Sequence, residues 1–260
     1  MSSNIRIIPR LDIKGQNLIK GIHLEGLRVM GNPNDFAKLY YNNGADEIIY
    51  MDVVASLYGR NNLHDIIKST VKDIFIPITV GGGIKNLDDI DEILRSGAEK
   101  VAINTAITKD PELITRASRR FGSQCIVASI EAKQNGSSWE VMVENGREKT
   151  NIDAIQWAEQ VEKFGAGEIL ITSIDMEGTC KGFDDQLIEN ISSIVNIPVI
   201  ASGGMGSPLD GVKVINQSKA DAVAIANILH YKKYTLHEIR KVFLEHNIKV
   251  REYNETNKHN

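Results

Sequence analysis

The sequence predicts an α/β protein, a (β/α)8 barrel built from two duplicated (β/α)4 half-barrels. Three observations carry that prediction: short β-branched runs alternate with amphipathic helical patterns, the runs number eight, and the second half of the chain repeats the first. In order, the strand candidates are RIIPRLDI, DEIIYMDVV, IPITV, KVAIN, CIVASIEA, EILITSID, IPVIAS and AVAIAN. Their nearly unbroken apolar character suits a parallel sheet buried on both faces. Between them LHDIIKSTVKDI, LDDIDEILRSG, PELITRASRRFG, DAIQWAEQVEKFG and DQLIENISSIVN carry apolar residues at helical spacing. Such alternation implies a sheet covered by helices. WEVMVENGREKT, residues 139–150, alternates around an Asn-Gly pair and reads as a hairpin inserted after the fifth strand.

The repeat has a period of about 120 residues. GADEIIYMD parallels GAGEILITS, IPITVGGG parallels IPVIASGG, GAEKVAIN parallels KADAVAIAN, and RLDIKG finds a weaker partner in SIEAKQNG. No Pro/Ser-rich linker separates the halves, so residues 1–250 are expected to form one barrel domain. The polar stretch 251–260 is expected to be a flexible tail without chemistry.

Composition narrows the partners. A chain of 260 residues with 42% hydrophobic and 25% charged residues can bury a sizeable core. Its net charge of -4 offers no general attraction to nucleic acid or to an anionic membrane. The longest apolar runs, such as IFIPITV, fall far short of the ~20 residues that span a bilayer. The start MSSNIRIIPR lacks a signal-peptide core, so a cytoplasmic location is the default. The two cysteines form no CxxC and the six histidines no HExxH cluster, so neither a metal site nor a cofactor is expected. His230 and His237 read as packing or surface residues.

In this fold, chemistry sits at the C-terminal ends of the strands. Those ends carry Asp12, Asp52, Gly81 to Gly83, Asn104 with Thr105, Glu131, Thr172 with Asp175, Ser202 to Gly204, and Ala226 with Asn227. VGGGI and ASGGM are glycine runs between strand and helix, where bare backbone N–H groups can meet a phosphate. Gly83, Gly203 and Gly204 lie in them. A lone Gly-Gly turn is usually only a tight connection; its duplication argues for one phosphate site per half-barrel. Asp12 and Glu131 occupy matching places across the repeat, where two carboxylates can divide general acid and base work. Pairing with Lys14, Lys20 or Lys133 is the plainer alternative. At the opposite end Arg6, Glu47, Lys100 and Glu168 mark strand beginnings and would ring the barrel floor, as a stabilising ion-pair network or as a gate.

These residues resemble the cyclase subunit of imidazole glycerol phosphate synthase. The resemblance runs from about Ile5 to Val250 and is carried by RIIPRLDI, LIKG, GADEIIYMDVVAS, FIPITVGGGI, KVAINTA, FGSQCIVASIEA, GREKTNIDAIQWAEQ, GAGEILITSID, EGT, IPVIASGG and LHYKKYTLHEI. It implies a lyase of histidine biosynthesis that uses ammonia from a partner glutaminase. The ammonia enters at the barrel bottom and reacts at the top with a bisphosphorylated ribulosyl formimino nucleotide, giving imidazole glycerol phosphate and aminoimidazole carboxamide ribotide. By resemblance Asp12 and Glu131 are catalytic and Lys20 and Thr172 help hold substrate. Gly83, Asn104 and Thr105 bind one phosphate, with Gly178, Gly203, Gly204, Ala226 and Asn227 near the other. Arg6, Glu47, Lys100 and Glu168 form the ammonia gate, and Glu99 and Gln124 face the glutaminase.

Several positions depart from the family pattern. Glu131, Glu177 and Glu99 stand where aspartate is usual, Asn227 where serine is usual, and Arg10 where cysteine or another small residue is usual. Together they also fit a cyclase-like paralogue that conducts ammonia for amidation of a surface-polysaccharide sugar. The related sugar-phosphate isomerase of the same pathway shares the duplicated barrel and two carboxylates, but it needs no floor gate.

Overall fold

The computed structural model describes residues 4–54 and 63–253. Eight parallel strands close on themselves in the order β1 (Arg6–Lys14), β4 (Ile48–Asp52), β5 (Ile78–Gly81), β6 (Lys100–Ile103), β7 (Ile126–Asn135), β10 (Glu168–Ser173), β11 (Val199–Ser202) and β12 (Ala222–Ile225). Pairing of β12 back onto β1, from Arg6↔Ala222 to Pro9↔Ile225, completes the (β/α)8 barrel. All eight strand candidates read from the sequence are barrel strands.

Around the sheet lie α1 (Pro33–Asn42), α2 (Leu63–Thr70), α3 (Leu87–Arg95), α5 (Glu112–Phe121), α6 (Ala154–Phe164), α7 (Asp185–Ser192), α8 (Pro208–Asn216) and α10 (Leu236–Glu245). Two short helices, α4 (Thr105–Lys109) and α9 (Asn227–His230), follow β6 and β12 directly. Helix starts are chemically marked: Asn86 with Asp89, Ser207 with Asp210 and Thr235 with Glu238 form capping boxes on α3, α8 and α10. Among the described residues, no helix is long and apolar enough to cross a membrane.

Each half-barrel opens with a long strand that runs on into an antiparallel extension. β7 continues into β8 (Ser138–Val143) and β9 (Glu148–Asp153), the hairpin expected after the fifth strand. β1 continues into β2 (Asn17–Ile22) and β3 (Glu25–Gly31), an extension the sequence pattern does not announce. Its turn is made by His23 and Leu24, both at positive φ (52° and 63°), without the Asn-Gly pair that usually signals such a turn. Most of β3 is exposed, so no inward alternation shows either.

Strand alternation directs every second residue to the barrel axis. Ile8, Ile49, Met51, Ala102, Val127, Leu170, Ile200, Ala222 and Ala224 form a buried apolar cluster there, separate from the larger core between sheet and helices. Of the tail expected over 251–260, Arg251 donates to Asp46 at 2.8 Å and Tyr253 to the carbonyl of Asn42 at 2.5 Å. Residues 254–260 lie outside the described residues.

Gly211 of α8 faces the buried Phe243 of α10, and a Cβ at Gly211 would stand 2.5 Å from that ring. Gly211→Ala is therefore expected to lower stability by about 1–3 kcal/mol through overpacking, although alanine is the better helix former. Urea unfolding checks this; a variant as stable as the parent would show that α8 and α10 can separate at no cost.

Candidate active site

The C-terminal mouth of the barrel is lined by charged side chains that are almost wholly buried. Asp12 lies near the end of β1, opposite Met51 on β4 and Ile19 on β2, and is 5% exposed. Arg10, two residues earlier and therefore on the same inward face, donates from Nε to Asp12 Oδ1 at 2.9 Å. From Nη1 it also donates to Thr172 Oγ1 at 2.8 Å and to Ser202 Oγ at 3.1 Å. Lys20 of β2 is bonded to Glu177, with its Nζ 3.8 Å from Asp12 Oδ2. Burial alone would push the Asp12 carboxyl up, but Arg10 and then Lys20 outweigh it and hold the group below the usual carboxylate range.

Glu131 sits on β7 across from Thr172, also 5% exposed, and its Oε2 has no hydrogen-bond partner. Burial pushes its carboxyl up to about 7, against the pull of Arg10 and a backbone bond from Gly146. The two carboxylates matched by the repeat therefore differ at neutral pH: Asp12 is ionised, while Glu131 exchanges its proton there. That is the separation a general base and a general acid need.

Beside Glu131, a cavity of about 440 Å³ is bounded by Asp52, Gly82, Gly83, Asn104, Thr105 and Glu144. The equivalent space of the second half, between Arg10, Glu177, Gly203, Gly204, Ala226 and Asn227, is only about 10 Å³. A wider groove of about 730 Å³ continues outward past Lys20, Gly178, Thr179, Asn227 and Lys233. The glycine loops share a backbone: φ is 102° at Gly82 and 93° at Gly203, 70° at Gly83 and 104° at Gly204. Side chains cannot replace Gly82 or Gly204, since a Cβ would come 2.2 Å from the Asp52 carbonyl oxygen and 2.0 Å from that of Gly182, respectively. Asn104 and Ala226 precede α4 and α9 with nearly the same dihedrals, and neither caps its helix by a side-chain bond. Asn104 instead donates to the Met142 carbonyl at 3.1 Å, and Asn227 to that of Gly178 at 3.1 Å.

At the other end, Arg6, Glu47, Lys100 and Glu168 close an alternating ring. Arg6 donates to Glu47 at 2.7 Å and also to Glu168, while Lys100 lies 3.1 Å from Glu47 and 2.9 Å from Glu168. Thr79 supplies a further hydrogen bond to Glu47. Both carboxylates are buried and both cations half-buried. Glu99 and Gln124 are exposed at the same end, before β6 and β7, and Glu99 accepts a bond from the Ile78 amide at 2.7 Å.

Residues 6–235 match the family model described as histidine biosynthesis protein. The chain is 67% identical over 205 residues to "Imidazole glycerol phosphate synthase subunit HisF" of Legionella pneumophila, covering 78% of this chain and 97% of that one. It is 45% identical over 252 residues to the HisF of Prochlorococcus marinus (strain MIT 9312), covering 96% and 98%. The HisF of Methanopyrus kandleri is 44% identical over 266 residues, covering 95% and 98%. This chain belongs to the HisF family. Each of these HisF relatives is named as a subunit, which implies a partner chain.

Thr172, expected at the substrate, is fully buried and spends its hydroxyl on Arg10. Two features escape sequence reasoning. One is the reach of Arg10, which stands out in the sequence only as a large residue in a small residue's place. The other is the Lys20–Glu177 pair, which joins β2 to a loop after β10. His230, read as a packing or surface residue, is buried and stacks on Tyr40 with its Nδ1 2.6 Å from the Tyr40 hydroxyl; burial and then Lys20 hold it down to about 4.

The Glu131 shift predicts a pH dependence of stability. The folded state holds this proton up to about 7 and the unfolded chain only to 4.5, so stability present below 4.5 is lost as pH rises to 7. The loss amounts to roughly 3 kcal/mol. His230 acts with the opposite sign, since its folded value lies below its unfolded one. The difference between wild type and Glu131→Gln cancels it. Glu131→Gln is expected to gain on wild type between pH 5 and 8 in urea unfolding; a constant difference would show that Glu131 does not titrate in that window.

Proposed function

We propose that the chain is the ammonia-using cyclase of imidazole glycerol phosphate synthase, closing an imidazole ring at the barrel mouth with Asp12 and Glu131 as its acid/base pair. The observation that carries the reading is the pair itself: one carboxylate held ionised and one that keeps its proton to neutral pH, between two glycine-lined pockets. Ring closure needs both. Ammonia attacking the ribulosyl carbonyl must give up protons, which suits Asp12; the carbonyl oxygen must leave as water and, as the new nitrogen bonds to the formimino carbon, the displaced aminoimidazole nitrogen must take a proton, which suits Glu131. A substrate with a phosphate at each end would lie across the mouth. One phosphate would meet Gly83, Asn104 and Thr105; the other would meet Gly178, Gly203, Gly204, Ala226 and Asn227, with Lys20 alongside.

The partner fits a glutaminase docked on the floor near Glu99 and Gln124. Ammonia released there would pass the ring of Arg6, Glu47, Lys100 and Glu168 and then the apolar layer around Ile8, Leu170 and Ile200, which offers it no competing hydrogen bonds. The names of the relatives favour this activity over the alternative, a conduit serving a sugar-amidating enzyme.

Supplied with an ammonium salt, the purified chain is expected to convert the formimino bisphosphate, and Asp12→Asn to lose about 10²–10⁴-fold in kcat. An Asp12→Asn variant with undiminished turnover would remove Asp12 from the chemistry, and no turnover by the parent chain would remove the function.

The gate can be tested separately with the partner present. Lys100→Ala should impair product formation from glutamine while leaving the ammonium-driven rate near that of wild type. Equal effects on both nitrogen sources would leave the ring a structural network.

A further inference from the structure

We propose that Arg10 is a positioning residue: reaching from β1 across the barrel mouth to β10 and β11, it fixes which oxygen of Asp12 takes the proton and keeps that carboxylate an anion. The inference rests on the reading of Asp12 as an acid/base group. It stands first on geometry. Arg10 and Asp12 share the inward face of β1, and the strand between β1 and β11 is β12, whose inward positions Ala222 and Ala224 are both alanine, as is Ala226 just after it. Nothing on β12 blocks the guanidinium, so it spans that strand and ends on Ser202 and Thr172.

The fork leaves the two oxygens of Asp12 unequal. Oδ1 is engaged by Arg10 Nε, whereas Oδ2 has Lys20 at 3.8 Å, beyond hydrogen-bond reach, because the Lys20 ammonium is committed to Glu177. Oδ2 is thus the oxygen open to a substrate proton. Arg10 is itself buried, and a guanidinium tied at three points cannot swing when the site fills. Across the repeat, the partner of Arg10 is Ser129, which cannot play this part for Glu131. The groups that act on these carboxylates and on Arg10 are Arg10 and Asp12 from β1, Lys20 from β2, Glu131 from β7, Arg147 from the turn between β8 and β9, Glu177 after β10 and His230 from α9. Arg10 heads the cations acting on Asp12.

The test uses the full chain with Arg10→Met, which keeps bulk without charge, and Arg10→Lys, which keeps charge without the fork. Turnover is driven by ammonium salt, and the Asp12 carboxyl is followed independently by carbon-13 NMR titration. In Arg10→Met, kcat should fall about 10²-fold with KM little changed, as for a misplacement of ~1 Å. The acid limb of its pH profile and the Asp12 titration should both move to higher pH. Arg10→Lys should keep the acid limb near its place and still lose most of kcat. Two results overturn the proposal: an Asp12 titration unmoved in Arg10→Met with a kcat deficit equal at every pH, or full kcat in Arg10→Lys. If Arg10→Met does not fold, Arg10→Lys alone decides whether the fork matters. Should the parent chain turn nothing over, the proposed function fails while the NMR titration still decides whether Arg10 holds Asp12.

Discussion

A closed sheet keeps bulk water from its interior, so an ionisable group that strand alternation turns inward must either meet an opposite charge or be held toward its neutral form, as Glu131 is. That constraint arranges both ends of this barrel. β1 alone places Arg6, Ile8, Arg10 and Asp12 on the axis. Arg6 must find carboxylates at the floor and finds Glu47 and Glu168; Arg10 must find one at the mouth and finds Asp12. Between them, among the described residues, lies the apolar layer around Ile8. Ion pairs at each end and an apolar layer between them is the electrostatic solution, whatever then passes along the axis.

The two ends solve the same problem at different depths. At the floor the carboxylates are buried while the cations keep part of their surface in solvent, so either Lys100 or Arg6 can turn toward water while the other still meets both carboxylates. At the mouth both partners of the Arg10–Asp12 pair are almost fully enclosed. Removing one partner of such a pair leaves the other uncompensated, a cost of about 3–5 kcal/mol. The floor is therefore the end suited to opening, and the mouth the end suited to holding a geometry still.

Much of this was legible in the sequence, for a physical reason. Eight buried strands force eight apolar runs, and a repeat reveals itself by matching residues, so Asp12, Glu131, both glycine loops and the four floor charges could be placed without coordinates. What stayed hidden depends on residues far apart in the chain. Arg10 meets Thr172 and Ser202 only because β12 brings alanines between them, and its length in the sequence says nothing about where its fork ends. The β2–β3 extension stayed hidden because His23 and Leu24 take a turn conformation that neither residue type advertises, and because an exposed strand has no buried face to pattern.

The repeat makes the two halves alike in fold, yet the chemistry proposed for them requires that they differ. One inward position supplies much of that difference. Two residues before Asp12 the chain has Arg10, and two residues before Glu131 it has Ser129. The arginine draws its neighbouring carboxylate down and fills the space beside Gly203 and Gly204; the serine does neither, so the cavity beside Gly82 and Gly83 stays open and Glu131 responds mainly to its own burial. With serine at both positions the two carboxylates would lie closer in acidity, separated mainly by Lys20, and would be less suited to one acid and one base. The asymmetry needed for acid/base division thus follows from placing a long cation on one half and a short hydroxyl on the other.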